Sequence, residues 1–162
     1  MAVMEVLCSF RKYKKKMKTF LVITIFLICA IMTSFGQVKD LVMASEKLWG
    51  QPKETIIQNL HHLAEERTQL VNNTLLDVVT YLSGDHKSTD LYFKDNVLVM
   101  IQRFFYGPND KLDRWIEIAT KEMGPSTNDS EVSPQWITAN SIVTLREARG
   151  SYVLLEIKGK NL

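Results

Sequence analysis

Residues 97–106, VLVMIQRFFY, decide the fold. The run is rich in β-branched and aromatic residues and holds neither Gly nor Pro, which is the composition of a strand. Its odd positions are Val97, Val99, Ile101, Arg103 and Phe105; its even positions are Leu98, Met100, Gln102, Phe104 and Tyr106. Successive side chains of a strand point to opposite faces, and here both sets begin apolar. A strand that is apolar on both sides has to be covered on both sides. The run therefore reads as a central strand with a helix on one face and something else on the other.

Working back from it, Lys94-Asp95-Asn96 reads as a turn, since Asp and Asn tolerate the left-handed backbone of tight turns. Leu91-Tyr92-Phe93 is a second strand, and the polar stretch from Ser83 to Asp90, with Gly84, is a loop. Leu75–Leu82 (LLDVVTYL) favours strand over helix through Val78, Val79, Thr80 and Tyr81. Pro52 to about Leu70 reads as the main N-terminal helix. Ile56, Leu60 and Leu63 recur at i, i+4 and i+7, with Ile57 widening the stripe, and Asn72-Asn73 ends the element. Val38–Trp49 reads as a short first helix or an ordered lead-in, interrupted by Gly50-Gln51-Pro52.

Working forward, Gly107-Pro108-Asn109-Asp110 breaks the strand and starts a helix, with Asn109 or Asp110 as its cap. Leu112, Trp115, Ile116, Ala119 and Met123 line one helical face, and Gly124-Pro125 stops it. After a polar loop, Ser126–Ser133, the chain is extended through Trp136. Ile142–Glu147 and Tyr152–Lys158 are strands joined by a turn at Ala148–Ser151. Val153, Leu155 and Ile157 face one way; Tyr152, Leu154, Glu156 and Lys158 face the other, which suits an antiparallel sheet solvated on one side. The fold class that follows is α+β, a single antiparallel sheet with helices packed on one face.

Ahead of this domain stands a different kind of sequence. Thr19–Phe35, TFLVITIFLICAIMTSF, carries no charge and follows the basic run Arg11–Lys18. That is the pattern of a signal peptide, with Ser34 and Gly36 as the small residues of a cleavage site between Gly36 and Gln37. The alternative is a retained membrane helix, because the stretch just reaches the roughly 17 residues that a span needs. In either case the basic run stays inside and the rest is carried across. Residues 1–36 thus form a leader and residues 37–162 an exported domain, in the periplasm or outside the cell. Met17-Lys18 alone would open a compact signal sequence, so Met17 is the expected start of translation.

Removing the leader changes the charge. Residues 1–36 hold six of the 20 basic residues and one of the 18 acidic ones, so residues 37–162 carry 14 against 17, a formal charge of −3. No Lys/Arg stripe or nucleic-acid motif remains, which excludes nucleic acid as a partner on these grounds. Cys8 and Cys29 both lie in the leader. The exported part can form neither a disulfide nor a thiolate site, and its length allows a sufficient core without them.

The residue patterns point to binding rather than catalysis. No nucleophile elbow, phosphate loop or thiol is present, so no enzyme and no cofactor is expected. The metal candidates are His61, His62, Glu65 and Glu66, which on a helix form two i, i+4 pairs about 100° apart. They would need a third ligand from Asp85 or His86, and a solvated helix surface is the simpler reading. Among the aromatic residues, Tyr92, Phe104, Phe105, Tyr106 and Trp136 mark a candidate binding surface beside their ordinary role in a core.

The leader ending SFGQ resembles those of exported proteins of the Bacteroidota. The succession GQPKETIIQNL, YFKDNVLVMI, a helix, a Trp and a final strand pair is similar to small exported proteins of unknown function from that group. The resemblance covers most of residues 37–158, implies an exported α+β domain and assigns no site residue. The expected function is a small binding protein of the cell envelope, acting on a protein partner or a small apolar ligand. The alternatives are the same domain tethered through Thr19–Phe35, or a metal-dependent enzyme built on the His61–Glu66 helix.

Overall fold

The computed structural model describes residues 38–60, 63–82, 87–107, 110–128, 130–148 and 152–160. The expected leader with its expected cleavage between Gly36 and Gln37, as well as His61, His62, Asp85, His86, Asn109 and most of the expected Ala148–Ser151 turn, lie outside them. No helix of the described residues is long and apolar enough to cross a membrane.

Seven strands form one sheet: β1 (Leu63–Val71), β2 (Thr74–Leu82), β3 (Lys87–Lys94), β4 (Val97–Phe105), β5 (Gln135–Ile137), β6 (Ser141–Ala148) and β7 (Tyr152–Gly159). Their spatial order is β1-β2-β3-β4-β7-β6-β5, with every neighbouring pair antiparallel. Among the described residues three helices accompany it: α1 (Val38–Glu46), α2 (Lys53–Ile57) and α3 (Leu112–Met123). The protein is thus α+β and mostly strand. The first four strands run as a meander. Then α3 crosses over, β5 lands on the far edge, and β6 and β7 return until β7 meets β4.

β4 is central, as its composition requires, but its faces do not follow simple alternation. Opposite it Phe93 pairs with Leu98 and Tyr92 with Met100, which leaves Val99 as an extra residue. That bulge resets the parity. Leu98 joins Ile101 and Phe105 in the core under the helices, whereas Val99 and Met100 belong to a smaller cluster on the other side with Leu76, Val78 and Tyr92.

The helix-side core explains why α1 and α3 form where they do. Val38, Leu41, Val42, Ala44 and Leu48 from the first helix and its exit are buried against Val143, Leu145, Leu155 and Ile157. Each large side chain so buried contributes about 1.5–3 kcal/mol. Trp115 of α3 stacks on Phe105, ring centroids 4.1 Å apart, and Ala119 is fully buried. α3 ends at Gly124, whose φ of 87° lies in the left-handed range, and the Gly124 carbonyl accepts Trp136 Nε1 at 2.9 Å.

Three expectations need correction. The long helix from Pro52 to Leu70 is only Lys53–Ile57; Leu63–Val71 is a strand. Ile56 is buried and Ile57 and Leu60 pack beside it, but Glu65–Gln69 (EERTQ) offers a helix nothing to bury. An edge strand needs only one partner, and β2 supplies it through Asn72-Asn73. Both asparagines have positive φ, 48° and 63°, as a two-residue hairpin turn demands. Asp95-Asn96 closes β3–β4 in the same way, with φ of 49° and 67°.

The second correction concerns the loop expected at Ser83–Asp90, since β3 already begins at Lys87. Ser88, Thr89 and Asp90 are buried there. The third concerns Asp110, which does not cap α3. The N-cap position is Lys111, without a side-chain bond. Asp110 instead accepts Gly107 N–H at 2.9 Å and Trp115 Nε1 at 3.2 Å.

Candidate functional site

The helices cover one face of the sheet and leave the other open. On that open face one cross-strand row reads Glu65, Thr80, Asp90, Gln102, Glu156, Thr144, Gln135, one residue from each of the seven strands. Every member is polar. The row beside it holds Val78, Tyr92 and Met100 across β2, β3 and β4, and on the other side Phe104 and Leu154 pair. The polar stripe crosses the whole sheet, and apolar residues flank it in the middle strands.

Hydrogen bonds organise the stripe in two groups. In the first, Arg67 donates to Asp90 Oδ2 at 2.7 Å and to Thr80 Oγ1 at 2.6 Å, and Thr80 donates to Asp90 Oδ1 at 2.6 Å. Asp90 is 5% exposed, and these bonds are what make its burial tolerable. Burial works against the Arg67 charge, but the Asp90 hydrogen bond and the nearby negative charges hold its pKa above the ordinary value. In the second group Tyr92 O–H donates to Gln102 Oε1 at 2.7 Å, and Gln102 Nε2 donates to Glu156 Oε2 at 2.7 Å. Burial, with Asp90 nearby, pushes the Tyr92 phenol up to about 12, so it is a donor at neutral pH.

Around this second group the open face is concave. A cavity of about 700 Å³ has Leu76, Tyr92, Val99 and Met100 in its floor, and Gln102, Glu156 and Thr144 run through it. Lys94, Arg146 and Lys158 stand exposed at its sides. On the helix side, the space against the sheet is filled by the larger core.

The five aromatic candidates separate by face. Phe105 and Trp136 point to the helices and are 2% exposed, so they belong to the core. Tyr92 lies in the cavity floor. Phe104 and Tyr106 stack at 6.2 Å beyond the cavity, and Tyr152 meets Tyr106 edge-on at 4.6 Å. Tyr106 also shares a 2.6 Å hydrogen bond with Ser88. This aromatic group occupies one end of the open face; the cavity occupies the other.

Of the metal candidates, Glu65 and Glu66 lie on a strand and not on a helix. Glu65 and Glu66 are consecutive strand residues and point to opposite faces. Glu65 sits 3.6 Å from Arg67, while Glu66 pairs with Lys53 at 3.3 Å. Among the described residues no group of three acidic, His or Cys side chains could hold a metal ion. The residues that sequence reasoning passed over are Gln102, Thr144, Arg146 and the Arg67–Asp90 pair. Their signal is weak because a single polar residue on a strand reads as a solvated position; only the register across seven strands aligns them. Comparison with family models, with curated proteins and with solved structures found no match to this chain.

Proposed function

We propose that the protein is an exported binding protein, without chemistry of its own, that holds its ligand on the open face of the sheet. The observation that carries this reading is the cavity of about 700 Å³ beneath which the Tyr92–Gln102–Glu156 chain runs. Its size falls within the range of about 300–1,000 Å³ common for small-molecule sites. Its polar row favours an occupant with hydrogen-bonding groups over the small apolar ligand that the aromatic residues alone would favour. Export rests on the basic run and the apolar Thr19–Phe35 stretch. The second reading is the same domain tethered through that stretch.

Fractionation of cells with mass measurement of the recovered protein separates the two readings: a mass starting at Gln37 means release, and a mass that includes Thr19–Phe35 means a tether. Native mass spectrometry of protein purified from its own cells tests the site. Thr144→Trp, which fills the cavity from β6, should eliminate a co-purifying ligand. Retention of that ligand at full occupancy in the variant would defeat the assignment.

A further inference from the structure

The charge of the cavity opposes the charge of the domain around it. Residues 37–162 carry a formal −3. Yet the lining of the cavity holds Lys94, Arg146 and Lys158 against one acid, Glu156. Two cations elsewhere on the sheet are held by acids: Lys53 lies within 4 Å of both Glu66 and Asp77, and Arg67 is held by Asp90. The three cavity cations make no such pair among the described residues. Unpaired charges of one sign around a concavity with a low-dielectric floor focus their field into it.

Resting on the open face as the binding surface, we infer that the occupant is an organic anion of metabolite size, held by Arg146 and Lys158 with Lys94 on the opposite side. The floor supplies the remaining recognition. Tyr92, Met100 and Leu76 line its floor but are only 3–6% exposed, so the apolar contact for the body of the ligand is narrow. Glu156 keeps one carboxylate oxygen on Gln102 and has the other for a hydroxyl or amide donor of the same ligand. Thr144 and Gln135 continue the row with groups that both donate and accept. Arg146 lies on β6 opposite Leu154 and Lys158 on β7 opposite Met100, so the positive charge is distributed along the cavity. That favours an anion with more than one acidic group.

Two other occupants fit less well. A cation would meet three positive side chains and a single carboxylate. A neutral sugar commonly stacks on exposed aromatic rings, but Phe104, Tyr106 and Tyr152 lie outside the cavity lining.

The test uses the isotopically labelled chain in the form recovered from cells, with citrate and succinate as multivalent organic anion probes. Trehalose and spermidine serve as neutral and cationic probes. Both anions should shift the backbone amides of Gln135, Thr144, Glu156 and Lys158 saturably, and their affinity should fall as salt is raised. In the triple variant Lys94→Gln/Arg146→Gln/Lys158→Gln the affinity should weaken at least tenfold, while Arg146→Lys keeps most of it. All three side chains are exposed, so the variant keeps its fold, and an unchanged amide spectrum away from β6 and β7 verifies that. Anions that leave these amides unmoved, or bind the triple variant equally well, overturn the proposal. If trehalose or spermidine shifts them instead, the open face stands as the site and the anion assignment falls. If no probe of any charge shifts them, the anion assignment fails, and the cavity reading then stands or falls on the Thr144→Trp result.

Discussion

Gln102 donates to Glu156 at 2.7 Å across the boundary between β4 and β7. Among the described strands that boundary joins the β1–β4 meander to the β5–β7 unit within the sheet. The same amide accepts the Tyr92 hydroxyl at 2.7 Å, which fixes its orientation. One side chain thus satisfies a buried phenol in the first unit and a carboxylate in the second.

Replacing it should be costly on both sides. Gln102→Leu leaves the Tyr92 hydroxyl, in a residue 3% exposed, without an acceptor. An orphaned buried donor costs about 1–3 kcal/mol. Tyr92→Phe removes the donor as well and should cost only about 1 kcal/mol. Urea unfolding of both variants measures the difference, and a Gln102→Leu cost no larger than that of Tyr92→Phe would contradict the network.

The same phenol sets a limb of the pH profile. Tyr92 ionises near 10 in the unfolded chain and at about 12 in the folded one. Its contribution is complete below pH 10 and is lost as pH rises from about 10 to about 12, because the unfolded chain gives up the proton first. Tyr81 is displaced upward by burial too and adds to the same limb. Tyr92→Phe should therefore flatten the alkaline fall in unfolding free energy without abolishing it. A profile that is identical in wild type and variant would show that Tyr92 ionises normally.

Arg67 and Asp90 form the other half of the stripe. Arg67→Met strands a carboxylate that is 5% exposed, with Thr80 left as its hydrogen-bonding side chain among the described residues. Breaking a buried pair from one side costs about 3–5 kcal/mol; Arg67 is partly exposed, so about 2–3 kcal/mol is expected. The double variant Arg67→Met/Asp90→Leu should recover part of that loss, because no uncompensated charge remains. Chemical denaturation midpoints decide it: a double variant that falls by the sum of the two single ones would mean that the two side chains do not couple.

Much of this architecture is legible in the residues. The run at 97–106 gives a central strand, Asp95-Asn96 a turn, and the alternation at 152–158 a sheet with one wet face. What was not legible depends on partners distant in sequence. EERTQ at 65–69 becomes a strand only because β2 lies beside it. Asn72-Asn73 marks the end of an element in either reading, and nothing local distinguishes a helix stop from a hairpin. Ser88, Thr89 and Asp90 look like loop residues until Arg67 and Thr80 arrive to satisfy Asp90. The site is subject to the same limit, since the seven members of the polar row come from seven separate segments.

Gly124 ends α3 with φ 87° and ψ −175°, a region essentially reserved for glycine. A Cβ there meets nothing within 4 Å, so the cost of a side chain is backbone strain alone. Gly124→Ala should destabilise the protein by about 1–3 kcal/mol. It should also shift the Trp136 indole resonance, whose N–H is bonded to the Gly124 carbonyl. A neutral effect on thermal unfolding would refute this backbone geometry.

The edge strand offers the sharpest check on register. In a hairpin closed by two residues, Val71 and Thr74 flank the turn and share the closing hydrogen bonds. Gln69, Arg67 and Glu65 then direct their N–H and C=O groups toward β2, whereas Leu70, Thr68 and Glu66 direct theirs outward. No backbone hydrogen bond reaches the outward groups among the described residues. At the opposite edge the β5 backbone is protected: Thr127 N–H donates to the Gln135 carbonyl at 2.7 Å, and Gln135 N–H to Asn128 Oδ1 at 2.8 Å. Proline removes one N–H, and an edge strand tolerates it where that group faces away from the sheet. Thr68→Pro should therefore be tolerated, while Gln69→Pro, one residue on, loses a ladder hydrogen bond and should cost about 1 kcal/mol or more beyond it. If the two substitutions have equal effects on the urea midpoint, β1 is not paired in this register. If Thr68→Pro is the more damaging, the pairing is displaced by one residue, and Glu65 and Arg67 leave the open face for the other side.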